Sequence, residues 1–164
     1  MKWIYGKQDF KTLSRGQENC YLLTNGLGGF SSLTTTGSVT RNDHALLMAC
    51  TKAPNHRYNL IHRMKEEIRI GEEKQILSAQ EFADGTKEEG YQHLSAFSFE
   101  DTPVWRWETK GVRMRKEIGM TQQENTVAVV YEMKNQSLFD AELVVTPFLQ
   151  FVRKGEDLVE EQVF

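Results

Sequence analysis

The chain is poor in cysteine and proline. Two cysteines, Cys20 and Cys50, stand far apart with no Cys-x-x-Cys spacing, which excludes a disulfide-stapled scaffold and a cysteine-based zinc ribbon. Three prolines among 164 residues leave no Pro-rich linker to divide the chain. No apolar run approaches the roughly 18 residues that a spanning helix needs. The opening Met1-Lys2-Trp3-Ile4-Tyr5-Gly6-Lys7 lacks the apolar core of a secretory signal. A cytoplasmic setting is the default expectation. Charge of one sign is also missing. Twenty Lys and Arg against 23 Asp and Glu leave a formal charge of −3, with no general pull toward nucleic acid or an anionic membrane.

What is present is alternation. Val112, Met114, Ile118 and Met120 share one parity, opposed by Arg113, Arg115 and Glu117. Lys116 alone falls on the apolar side, where a long stem can bury while its ammonium reaches water. Val127, Val129, Tyr131 and Met133 repeat the pattern, and so do Ala141, Leu143, Val145, Leu149 and Phe151. Period two predicts half-buried strands, because successive side chains leave a strand on opposite faces. Pro103–Thr109 reads as a further strand, turned by Lys110-Gly111 into a hairpin with 112–120. Tyr21–Leu23 and Ala45–Cys50 in the first half, and Phe97–Phe99 just before Pro103, read as strands. Tyr58–Ile70 fits a helical face as well as a strand, and the Gly71-Glu72-Glu73 turn before Ile76-Leu77 favours a hairpin. The fold class expected is all-β, an antiparallel β-sandwich in one domain.

Asn25-Gly26-Leu27-Gly28-Gly29-Phe30 is the most unusual stretch. It lacks the third glycine of a dinucleotide fingerprint and the Gly-Lys-Ser/Thr of a phosphate loop. Its local chemistry favours a glycine-supported turn or bulge. Arg41 and His44, beside the apolar 45–50 run, suit either a hydroxylated or anionic ligand or ordinary backbone partners. Trp105 and Trp107, two apart on one strand face, suit either a sugar-stacking platform or the core, and the neighbouring strands favour the core. His44, His56, His62 and His93 show no paired ligand spacing, so no metal and no cofactor are expected. The acidic pairs Glu66-Glu67, Glu72-Glu73, Glu88-Glu89 and Glu160-Glu161 read as solvated turns and tails. No catalytic residue is assigned, because glycoside hydrolysis needs two carboxylates facing across a cleft.

Taken together, Leu23-Thr24-Asn25-Gly26-Leu27-Gly28-Gly29-Phe30 and Thr40-Arg41-Asn42-Asp43-His44-Ala45-Leu46-Leu47 strongly resemble the N-terminal domain of bacterial and archaeal glycogen debranching enzymes. Glu89-Gly90-Tyr91, Pro103-Val104-Trp105-Arg106-Trp107, Glu124-Asn125-Thr126 and Val145-Thr146-Pro147-Phe148-Leu149 match further family elements in order. Asp43 stands where the family usually has Tyr, and Ala45 where it usually has Gly. The resemblance implies a sandwich of the supersandwich type, followed in the full enzyme by an (α/α)6 barrel with amylo-α-1,6-glucosidase activity. On that footing residues 1–164 are expected to be one N-terminal domain of a longer enzyme, with the last strands of the sandwich beyond this length. An exposed edge or apolar patch near Val144–Phe151 is expected where missing parts pack. The partners implied are the absent catalytic domain and α-glucan. Candidate glucan-contact or domain-interface residues are Asn25, Gly26, Arg41, His44, Trp105 and Trp107. The competing expectation is an autonomous carbohydrate-binding module that displays its tryptophans.

Overall fold

A computed structural model describes residues 2–157. Its first half contains strands β1 (Trp3–Gly6), β2 (Leu23–Thr24), β3 (Phe30–Ser32), β4 (Ala45–Lys52), β5 (His56–Ile70), β6 (Glu73–Ile76) and β7 (Ala79–Glu81). The second half contains β8 (Lys87–Glu89), β9 (Leu94–Phe99), β10 (Pro103–Thr109), β11 (Val112–Met120), β12 (Val127–Asn135) and β13 (Ala141–Arg153). No helix among the described residues is long and apolar enough to cross a membrane.

The strands form an all-β antiparallel sandwich. One sheet runs β1-β9-β10-β11-β12; the other runs β13-β5-β4-β3-β2, with β6 added to β5. A small β7-β8 hairpin lies apart from both sheets. The hairpin over 103–120 forms with Thr109 opposite Val112, and Lys110 and Gly111 both take positive φ to make its turn. Tyr58–Ile70 lies within one long strand, and its end pairs with β6, Ile70 opposite Glu73. The helical alternative loses because β13 and β4 occupy both edges of β5.

The core lies between the sheets. Trp105, Trp107, Phe97, Met114 and Ile118 from one meet Leu46, Ile68 and Ile70 from the other, with Tyr21, just before β2, packed among them. Trp105 meets Phe97 edge-on at 5.0 Å and Tyr21 at 5.5 Å, geometries that suit the ring quadrupoles.

Three expectations change. Lys116 does not send its ammonium to water: Nζ sits 2.5 Å from Glu66 Oε1, inside the sandwich. Glu66, Glu67 and Glu88 are buried rather than solvated, because β5 and β8 carry them into packed faces beside cations. The parity of β13 fails after Pro147. Register shifts at Phe148/Leu149 and Leu149/Val152, with φ of 53° at Phe151, turn Leu149 and Phe151 outward and bury Val152. The apolar patch expected near 144–151 is present. Strand β13 is the edge of its sheet, and Phe148 and Leu149 are 39% and 49% exposed.

Candidate functional site

The Asn25–Gly29 loop, between β2 and β3, is closed around one side chain. Asn25 Oδ1 accepts from the N–H groups of Leu27 at 2.9 Å and Gly29 at 3.0 Å, while Asn25 N–H donates to Gly29 O. Gly26 and Gly28 hold φ of 77° and 95°, a region that L side chains avoid. At Gly28 a Cβ would also stand 2.9 Å from Pro54 O. The other end of Asn25 crosses to the opposite sheet. Its Nδ2 donates to Glu124 O at 2.8 Å and to Asn125 Oδ1 at 3.1 Å, in the turn between β11 and β12. Asn125 in turn holds Cys50 of β4, accepting from its N–H at 3.0 Å and donating to its carbonyl at 2.8 Å. Asn25 is fully buried. It is a cross-sheet lock and has no face left for a ligand.

Arg41 and His44 meet in the long loop between β3 and β4. His44 is buried, and its Nε2 lies 3.2 Å from Arg41 Nε and 3.0 Å from Nη2. Both ring nitrogens face donors: the Arg41 guanidinium at Nε2, and at Nδ1 the Thr40 backbone N–H at 3.2 Å, with the Thr40 hydroxyl at 3.4 Å. Burial, then the Arg41 charge, holds the imidazole below its usual pKa. His44 is therefore held toward its neutral form, with both ring nitrogens already engaged. Arg41 Nη2 also donates to Cys20 Sγ at 3.0 Å, and Asp43 Oδ1 lies 3.9 Å from Arg41 Nε. The acid that replaces the family's usual Tyr thus gains a loose ion pair.

Of the six sequence candidates, the fold brings Gly26 and Arg41 to one groove, of about 470 Å³. Thr24, Ser32, Phe30 and Asp43 share its lining. Arg41 also borders a second cleft, of about 490 Å³, beside His62, Gln80 and Gln150. Near it Asn59 Nδ2 reaches His62 Nδ1 at 3.1 Å and His44 O at 3.4 Å. Asn59 Oδ1, buried, has no partner among the described residues.

Trp105 and Trp107 are not a platform. They are 0% and 4% exposed, and Trp105 Nε1–H donates to Thr35 O at 2.9 Å. This overturns the module with exposed tryptophans, since the indole faces needed for stacking are spent on the core. Two groove residues escaped the sequence reading. Arg57 lies at the start of β5 and Lys154 follows β13; the β4–β5 pairing, with Cys50 opposite Arg57, and the β5–β13 pairing place them beside the glycine loop. Asn125 lay inside a matched family element, but nothing local marked it as the partner of Asn25.

The buried carboxylates already have partners. Glu66 is held by Lys116 and by the Tyr131 hydroxyl at 2.8 Å. Glu67 takes Lys74 at 2.5 Å and Arg69 at 3.1 Å. Glu88 accepts two bonds from the Arg63 guanidinium, at 2.8 and 3.2 Å, and one from Ser78. Among the described residues no group of three or more His, Cys, Asp or Glu is placed to hold a metal.

Comparison with known proteins adds one finding. The family model described as glycogen debranching enzyme N terminal matches residues 19–164. Neither a curated protein nor a solved structure shows a significant match. The matched span contains the glycine loop, the Arg41–His44 loop and every strand of the two sheets except β1. The chain belongs to the glycogen debranching enzyme N-terminal family.

Proposed function

We propose that this chain is a non-catalytic accessory domain that supports a glucosidase barrel and positions branched α-glucan for α-1,6-glucosidic hydrolysis. The observation that carries the reading is the groove at the outer face of β2 and β3. There the two loops most specific to the family converge, Gly26 from one and Arg41 from the other. Thr24 and Ser32 hydroxyls, the Asp43 carboxylate and the Phe30 ring give it the mixture of polar edges and apolar ground that a sugar needs. Asn25 and His44 act from behind, holding the loops that present Gly26 and Arg41.

The non-catalytic half of the proposal rests on the carboxylates. An acid/base pair needs two acids facing one substrate, whereas the buried Glu66, Glu67 and Glu88 each face a cation, and of the acids lining the second cleft Glu81 pairs with Lys87 and Glu156 with Arg153. Two free cysteines suit the cytoplasm proposed as its location. Two measurements test the reading. Titration with maltooligosaccharides should shift the NMR resonances of Thr24–Ser32 and Arg41–Asp43 at millimolar sugar, and no shift there removes the glucan role. Glucose release from a limit dextrin by this chain alone would overturn the non-catalytic assignment.

A further inference from the structure

We propose that the groove beside the glycine loop binds a phosphomonoester carried on a hexose unit, with Arg57 and Lys154 as its anion-binding groups. The inference rests on the glucan-groove reading above and names the charged substituent that the groove accepts.

The cations around the groove come from three separated segments. Arg41 belongs to the β3–β4 loop, Arg57 to the start of β5, and Lys154 to the residue after β13; among the described residues that line the groove Asp43 is the single carboxylate. A chain with a formal charge of −3 has therefore gathered local positive charge at one place. The half-buried Arg57 is the central group. Its Nε donates to Gly28 O at 2.6 Å, which fixes the guanidinium plane against the loop. Neither Nη nitrogen has a carboxylate partner among the described residues. A Cβ at position 28 would lie 3.5 Å from Nη2, so glycine keeps that flank open. Lys154 is held alongside, its backbone N–H donating to Arg57 O at 2.8 Å. Its ammonium too has no ion-pair partner among the described residues.

A guanidinium offers paired in-plane donors and an ammonium a mobile point charge, a combination suited to the three oxygens and nearly two charges of a phosphomonoester. The rest of the groove suits what that ester is attached to. Phe30 and Leu22 give apolar ground for ring C–H groups. The Ser32 hydroxyl donates to Tyr21 O at 2.7 Å, leaving its lone pairs for a sugar hydroxyl. A neutral glucan would use this ground and leave Arg57 and Lys154 facing water.

Calorimetric titration of the chain tests the inference, with glucose, glucose 6-phosphate, inorganic phosphate, maltohexaose and a phosphorylated maltooligosaccharide as probes. The phosphorylated sugars should bind about tenfold more tightly than their neutral counterparts and more tightly than inorganic phosphate. Raising salt from about 50 to about 300 mM should erode that preference. Lys154→Gln and Arg57→Gln should each remove most of the preference with the neutral sugars unaffected. Lys154→Gln keeps the test valid if Arg57→Gln unsettles the loop, because only the Lys154 backbone is bonded in the fold. Equal binding of phosphorylated and neutral sugars, or a preference that survives both substitutions, overturns the inference and leaves the glucan role standing. A preference for glucose 6-phosphate with no binding of maltohexaose supports the anion site and removes the glucan role. Tighter binding of the phosphorylated oligosaccharide than of glucose 6-phosphate identifies the source as a glucan chain, and the reverse order a free sugar phosphate.

Discussion

Lys116 of one sheet and Glu66 of the other meet at 2.5 Å in the middle of the sandwich, each side chain only 4% exposed. The Trp105 ring lies 5.3 Å from the ammonium and the Tyr131 hydroxyl donates to the same carboxylate oxygen. Burial and the Glu66 charge both push the Tyr131 phenol pKa upward, so it stays a donor. Removing one member of a buried pair strands the other charge, whereas replacing both with apolar groups can be nearly neutral. Lys116→Met or Glu66→Leu alone should lower the unfolding free energy by about 3–5 kcal/mol. The triple change with Tyr131→Phe should recover most of that loss in urea melts. A triple variant as unstable as the singles would show that the pair is worth more than its charge balance.

The lock between Asn25 and Asn125 should behave as a stability element. Asn125→Ala strands Cys50 N–H and carbonyl and one donor of Asn25, at about 2–3 kcal/mol. For a domain of this size that lowers the melting temperature by about 5–10 °C. Thermal unfolding followed by circular dichroism checks it, and a shift under about 2 °C would mean that the loop holds without its side-chain clamp.

Acid should loosen the fold through its histidines. His44 and His62 are both held below the usual pKa, first by burial and then by Arg41 and Arg63 respectively. The unfolded chain therefore takes up protons that the folded one refuses. The stability they contribute is complete above about pH 6.5 and is lost as pH falls below it. Urea midpoints measured across that range should fall toward acid, and His44→Gln should flatten the slope. An unchanged slope in that variant would remove His44 from the account.

Tryptophan emission separates the buried pair from the surface. Trp3 is 48% exposed, while Trp105 and Trp107 are closed off. Iodide should quench a single component, which Trp3→Phe abolishes. Quenching that persists in the variant would place a core indole at the surface.

Much of the second half was legible because its strands alternate without interruption: β11 spans the 112–120 predicted from parity alone. The Lys110-Gly111 turn was readable for the same local reason. Lys116 was visible as a break in the pattern. Its partner was not, since Glu66 lies 50 residues away on another sheet and reads locally as half of a surface acidic pair. Parity misled at β13, where the register shifts after Phe148 reverse the faces. The glycine loop announced itself by composition, and its favoured reading as a supported turn agrees with Asn25 at its centre. Arg57 and Lys154 carry no local signal, because their neighbourhood exists only once β4, β5 and β13 have paired.

The order of strands has a consequence for synthesis. β5 is completed at Ile70 and finds Glu73 of β6 at once, yet its partner on the other edge is Ala141, and Asn25 waits 100 residues for Asn125. At the usual rate of about 5–20 residues per second, that wait lasts about 5–20 s on the ribosome. From their synthesis until β9, β10 and β11 follow, Leu46, Ile68 and Ile70 have no opposing sheet. Until Lys116 follows, Glu66 stays hydrated. It enters the interior only when Lys116 and Tyr131 arrive, so sheet closure and neutralisation of that charge are one event.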